Sequence, residues 1–169
     1  QMGSDMFRGC TALASVTLPN GLTTLPIRLF SECTSLVSVD IPDSVTEIGS
    51  SAFSGCYSLA CVNLPEGLTI LPDMLFSNCS GLTFIDIPDN VAEIGDSAFY
   101  GCEGLTAITL PASVESVDTW AFDSCSNMTS VTFLGDAPEI SQNAFSGVDT
   151  SPGRFCIYFH SGASGWTAP

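Results

Sequence analysis

Asp40, Asn63 and Asp86 follow one another at intervals of 23 residues, and Asp43, Glu66 and Asp89 repeat that interval three positions further on. Oxygen-bearing side chains in such a series suggest calcium, which gathers six to eight oxygens around a sphere. Paired carboxylates also invite a glycosidase reading. Cys156 followed by His160 invites a Cys–His nucleophile. Each reading fails on geometry. If every 23-residue interval is one layer of a stack, the carboxylates fall on a line, about 4.8 Å per layer, and cannot surround an ion. A shallow face built of such layers supplies no pocket to raise a carboxyl pKa for acid catalysis. No third group stands out to orient His160. The sequence therefore predicts no catalytic residue, no metal and no cofactor.

The interval governs the whole chain. Phenylalanine recurs as Phe7, Phe30, Phe53, Phe76, Phe99, Phe122 and Phe145, and cysteine as Cys10, Cys33, Cys56, Cys79, Cys102 and Cys125. Proline keeps the same beat at Pro19, Pro42, Pro65, Pro88 and Pro111. A fixed period in the twenties means a solenoid of stacked coils. Val16 and Leu18, with Ser15 and Thr17 between them, alternate as a half-buried strand does, and proline ends that strand because it cannot donate to a ladder. Every copy runs in the same order, so the strands form one parallel sheet, each bonded to the next coil. The remainder of the coil is too short for a full α-helix. It reads as an extended or tight-turn return leg with a single helical turn near Phe30. Leu29, Ala52, Leu75 and Ala98 alternate large and small, which lets layers interdigitate.

Stacking also decides the cysteines. In-register neighbours stand about 4.8 Å apart with parallel Cα–Cβ vectors, whereas a disulfide needs Cβ atoms turned toward each other at about 3.8 Å. The six periodic cysteines therefore read as buried free thiols, and cysteine usage does not fix the redox compartment. Cys61 and Cys156 are four coils apart, about 19 Å, and cannot pair.

The array runs over 6–145 and is followed by a capping segment at 146–169, in which Phe155, Ile157 and Phe159 supply a last inward-facing strand and Trp166 helps cover the end. Gln1–Asp5 is polar and reads as an expression remnant, which leaves the first coil naked and open to weak end-to-end pairing; otherwise the chain is a monomer. The formal net charge is -15 and the three cations are Arg8, Arg28 and Arg154. Such a surface repels phosphate backbones and anionic lipid, and no apolar run reaches the length of a membrane span.

The string Cys-x-x-Leu-x-x-Val-x-Ile-Pro-x-Ser-Val-x-x-Ile-Gly-x-x-Ala-Phe-x-x-Cys closely resembles the BspA-like, or Treponema pallidum type, class of bacterial leucine-rich repeats. The resemblance covers Phe7 to about Trp166. It implies a right-handed leucine-rich repeat solenoid with a parallel sheet on one face and turns or extended segments on the other. It further implies a secreted or cell-surface protein, extracellular in location, used for adhesion and protein–protein contact, and it supplies no catalytic residues.

Positions that escape the repeat constraint are the candidates for binding. In the outward strand columns Asp40, Cys61, Asn63, Phe84 and Asp86 come together, and Asp43, Glu66 and Asp89 lie just past the prolines. This predicts an acidic strip flanking one exposed phenylalanine, an apolar anchor ringed by polar groups of the kind that binds protein. Trp120 and Met74 fall on the back surface. The expected function is protein recognition or adhesion; the rivals are a stalk with no ligand of its own and, more remotely, a glycan-binding or hydrolytic module.

Overall fold

The structure, a computed structural model, describes residues 2–166. Each 23-residue interval forms one coil with three legs, and the coils stack in register. The first leg is the front strand. Ser15–Thr17, Ser38–Asp40 and Cys61–Asn63 pair in parallel, position for position. So do Ala107–Leu110, Ser130–Phe133 and Cys156–Phe159. Alternation dictates what is buried: Val39, Val62, Ile108 and Val131 point inward, while Ser38, Cys61 and Ala107 face out. Proline then closes a turn, as in Pro42, whose carbonyl accepts the Val45 N–H at 2.9 Å.

The second leg is a two-residue strand, and here the expectation of a single sheet is corrected. Thr24–Leu25 pairs with Glu47–Ile48, and Ile70–Leu71, Glu93–Ile94, Ser116–Val117 and Glu139–Ile140 form a further ladder, all parallel. The two stretches are separate because Pro72 follows Leu71. Where Gly49, Gly95 and Asp118 donate their N–H groups to Leu25, Leu71 and Ile94 of the coil before, proline has no N–H to give Ile48.

The third leg carries the phenylalanines and contains no helical turn, contrary to expectation. Residues two before and two after the ring adopt left-handed backbone: Arg28 and Glu32 at φ 54° and 63°, Met74 and Asn78 at 55° and 60°. A right-handed helix cannot pass through such residues. Their N–H groups turn instead to the next coil. Arg28, Phe30 and Glu32 donate to Ser50, Ala52 and Ser54 at 3.1, 2.9 and 2.7 Å. The chain thus makes a third set of inter-coil bonds without strand geometry.

These legs enclose one core. Phe30, Phe53, Phe76, Phe99 and Phe122 are fully buried, and from Phe7 to Phe145 successive rings stack at 5.2 to 5.7 Å. The alternating Leu29, Ala52, Leu75 and Ala98 are also fully buried. All eight cysteines are free; five of the periodic six are buried, and Cys10, in the first coil, is exposed.

The two ends extend the stack in different ways. Met2 and Asp5, within the stretch read as a remnant, occupy the places that Leu25 and Arg28 hold one coil later. Met2 packs on the core, and Asp5 donates its N–H to the Ile27 carbonyl at 3.1 Å while its carboxylate accepts from Arg28 at 2.8 Å. At the other end Ile157 and Phe159 pair in register with Val131 and Phe133, yet they remain 46% and 53% exposed because no described coil lies above them. Trp166 covers part of this surface, its ring 4.8 Å from that of Phe133 and stacked on Phe159 at 5.3 Å. Residues 167–169 of the expected cap lie outside the described residues, as does Gln1. Where the repeat proline is replaced by Leu134, the restored N–H donates to Leu110 and prolongs the front ladder.

Candidate recognition groove on the front face

The front ladder is interrupted once. Between Cys61–Asn63 and Ala107–Leu110 the sequence offers Phe84-Ile85-Asp86-Ile87, with the usual alternation intact: Ile85 and Ile87 are buried, Phe84 and Asp86 exposed. Yet this stretch pairs with neither neighbour, and among the described residues none of its backbone groups forms a backbone hydrogen bond. The interruption is bounded on both sides. Before it, Gly81 lets the coil press against its predecessor; a Cβ there would fall 2.6 Å from the Tyr57 carbonyl oxygen, and one on Gly104 would meet Ser80 in the same way. Other coils carry alanine, serine or asparagine at this position. After it, the Asn90 amide donates to the Glu66 carbonyl at 3.0 Å and rejoins the two coils.

A groove of about 460 Å³ opens where the ladder is missing, lined by Cys61, Asn63, Glu66, Phe84, Asp86 and Asp89 above a floor that includes Val62 and Ile87. Six of the eight residues singled out from the sequence are therefore brought together. The other two are not. Asp40 and Asp43 line a separate hollow one coil earlier, with Asn20 and Pro42, although Asp40 adjoins Asn63 in the ladder. The Phe84 ring is 62% exposed, the most exposed large apolar side chain among the described residues.

No cationic side chain lines the groove. The arginines lie elsewhere: Arg8 pairs with Glu32 at 2.9 Å, Arg28 pairs with Asp5 at 2.8 Å, and Arg154 lines a hollow at the C-terminal end with Asp149. Among the described residues no three His, Cys, Asp or Glu side chains cluster as a metal site requires. No described helix is long and apolar enough to cross a membrane. The groove is open and shallow, with one aromatic side chain and carboxylates spread along its rim. It can receive a side chain or a short stretch of another polypeptide, but it lacks the enclosed, convergent polar groups of a small-molecule site.

Val62, Leu64, Ile87 and Pro88 complete the lining and were not singled out from the sequence. All occupy repeat positions whose residue types match those of other coils, so their exposure to a groove follows from the local opening rather than from their identity.

The repeat and the stacked fold agree with comparisons to known proteins. The model for the BspA type leucine rich repeat region matches residues 1–129 and 74–152 in six copies. Among solved structures, a leucine rich repeat protein of Treponema pallidum is 31% identical over 92% of this chain and 71% of its own, with a TM-score of 0.77. A leucine rich cell surface protein from Faecalibacterium prausnitzii is 36% identical over 73% of this chain, with a TM-score of 0.70. The match spans about a third, 32%, of that protein's length. A Bacteroides ovatus leucine-rich repeat protein follows at 25% identity, over 80% of this chain and 43% of its own, with a TM-score of 0.61. No curated protein matches. On the strength of the six repeat copies, the chain belongs to the BspA type leucine-rich repeat family.

Proposed function

We propose that the chain is a recognition module of a secreted or cell-surface protein, that its partner is a protein, and that contact is made through the front groove. The observation that carries this reading is the exposed Phe84 ring in a gap of the front ladder, flanked by carboxylates and by no cation. An aromatic anchor that a partner can desolvate, surrounded by a polar rim, is the arrangement of an interface hot spot. The neighbour described as a cell surface protein supports the location, and adhesion is the role that such a location favours. The alternative is a stalk that spaces other domains and binds nothing itself.

Selection of peptides from a random displayed library against the immobilised chain separates the two. Peptides selected on the native chain lose at least about tenfold in affinity, roughly 1.4 kcal/mol, for the combined variant Asp40→Ser, Phe84→Ser, Asp86→Ser. Circular dichroism of the variant matches that of the native chain, because all three side chains point outward. A library that yields no binder, or binders indifferent to the triple substitution, overturns the proposal in favour of a stalk.

A further inference from the structure

The groove also specifies the chemistry of what enters it. We infer that it receives an extended polypeptide segment bearing arginine or lysine, an inference that rests on the recognition reading above. Three carboxylates, Glu66, Asp86 and Asp89, line the groove, and Asp40 and Asp43 extend the negative surface into the adjoining hollow. Their counter-ions are not internal: no arginine lines this groove, Arg8 and Arg28 pair with Glu32 and Asp5, and Arg154 lies at the C-terminal end. Together with a formal net charge of -15, this leaves a cationic partner as the complement.

Phe84 narrows the choice further. Residues two apart on an extended segment face the same way, so the Phe84 ring and the Asp86 carboxylate project side by side. A guanidinium laid over the ring face gains a cation–π contact while its edge reaches the carboxylate. Nothing else in the outward column offers such a surface: the equivalent positions are Ser15, Ser38, Cys61, Ala107, Ser130 and Cys156. From Phe84 to Pro88 the lining runs about 13 Å at strand rise, which accommodates about four extended residues. The stretch beneath is held by no backbone hydrogen bond among the described residues, so it can adjust to an occupant at little cost to the rest of the stack.

The test is fluorescence anisotropy with a labelled nonapeptide in which arginine alternates with serine and glycine, and with a matched peptide carrying glutamate in place of arginine. Against the native chain the arginine peptide binds and the glutamate peptide does not. Neutralising the groove (Glu66→Gln, Asp86→Asn, Asp89→Asn) or removing its ring (Phe84→Ala) weakens the arginine peptide at least about tenfold. Neutralising three exposed back-face carboxylates (Glu47→Gln, Glu115→Gln, Glu139→Gln) changes the net charge equally and leaves affinity within about twofold. Equal loss in the two neutralised variants reduces the effect to net charge and overturns the inference, as does failure of the arginine peptide to bind. If library-selected peptides depend on Phe84 yet carry no arginine or lysine, the inference falls and the recognition reading stands. If no peptide depends on Phe84, both fall.

Discussion

The cysteine column does more than fill space. The thiols of Cys33, Cys56, Cys79, Cys102 and Cys125 each donate to the carbonyl of the phenylalanine in the coil before, at 3.0 to 3.1 Å. The Phe30 carbonyl accepts the Cys33 N–H from its own coil and the Cys56 thiol from the next, so both lone pairs of a buried oxygen are used. The same holds at Phe53, Phe76 and Phe99. Such a donor must keep its proton, and burial ensures it. Desolvation pushes the thiols of Cys56 and Cys125 up to about 12, and those of Cys79 and Cys102 well above the ordinary value of 9.0. The unfolded chain therefore releases these protons first. Stability is fully present below about pH 9 and falls as pH rises toward the folded values, by about 1.4 kcal/mol per pH unit for each thiol. Urea titrations from about pH 7 to about pH 11 show a plateau and then a steep decline, and Cys79→Ala is shallower by one thiol's share. A midpoint that ignores pH across this window, or an unchanged slope in Cys79→Ala, contradicts the assignment.

The three legs of a coil differ in how far they could be foreseen. The front strand was legible because alternation and proline act within a single coil: Val39 and Ile41, alternating with Ser38 and Asp40, already state which face is buried. The left-handed residues of the third leg were not, since Arg28, Glu32, Met74 and Trp120 give no sign of their conformation. The signal that was present is the glycine two after every second phenylalanine, Gly9, Gly55, Gly101 and Gly147, each at positive φ. The gap at Phe84 was hidden for another reason. Its alternation is that of every other coil, and the separation of its backbone from both neighbours is a relation between coils that one coil's residues do not encode. The glycines at 81 and 104 are the backbone signal that sets these two coils apart in sequence. The gap has a direct consequence for exchange. Peptides spanning Phe84–Ile87 take up deuterium at least about tenfold faster than those spanning Ser38–Asp40 or Ser130–Phe133, which lie within closed stretches of the ladder. Equal protection in the three stretches contradicts an open ladder at the groove.

For the molecule as a whole, the stack separates two tasks. Buried columns repeat because each coil must match the one beneath it, and outward columns are released from that demand and carry the groove. Negative charge is distributed along the exterior, while two of the three arginines join the first coil to the second, where the Arg28 guanidinium also holds the Asp5 carboxyl below the usual carboxylate range. The sequence reading placed Phe84 and its carboxylates on one face because the period alone fixes which columns adjoin. It could not divide Asp40 and Asp43 from the rest, because that boundary is set by where the ladder opens.

All of this depends on the sequence period being laid out in space at one coil per 23 residues. The native exposed cysteines provide the ruler. With Cys10 replaced by serine, nitroxides on Cys61 and Cys156 report, by pulsed electron resonance, a backbone separation of about 19 Å, four coil spacings. Moving the first label down its own column to Ser38, and then to Ser15, lengthens that separation by about 5 Å at each step. A separation that fails to grow with each 23-residue step contradicts the stack, and with it the groove built upon it.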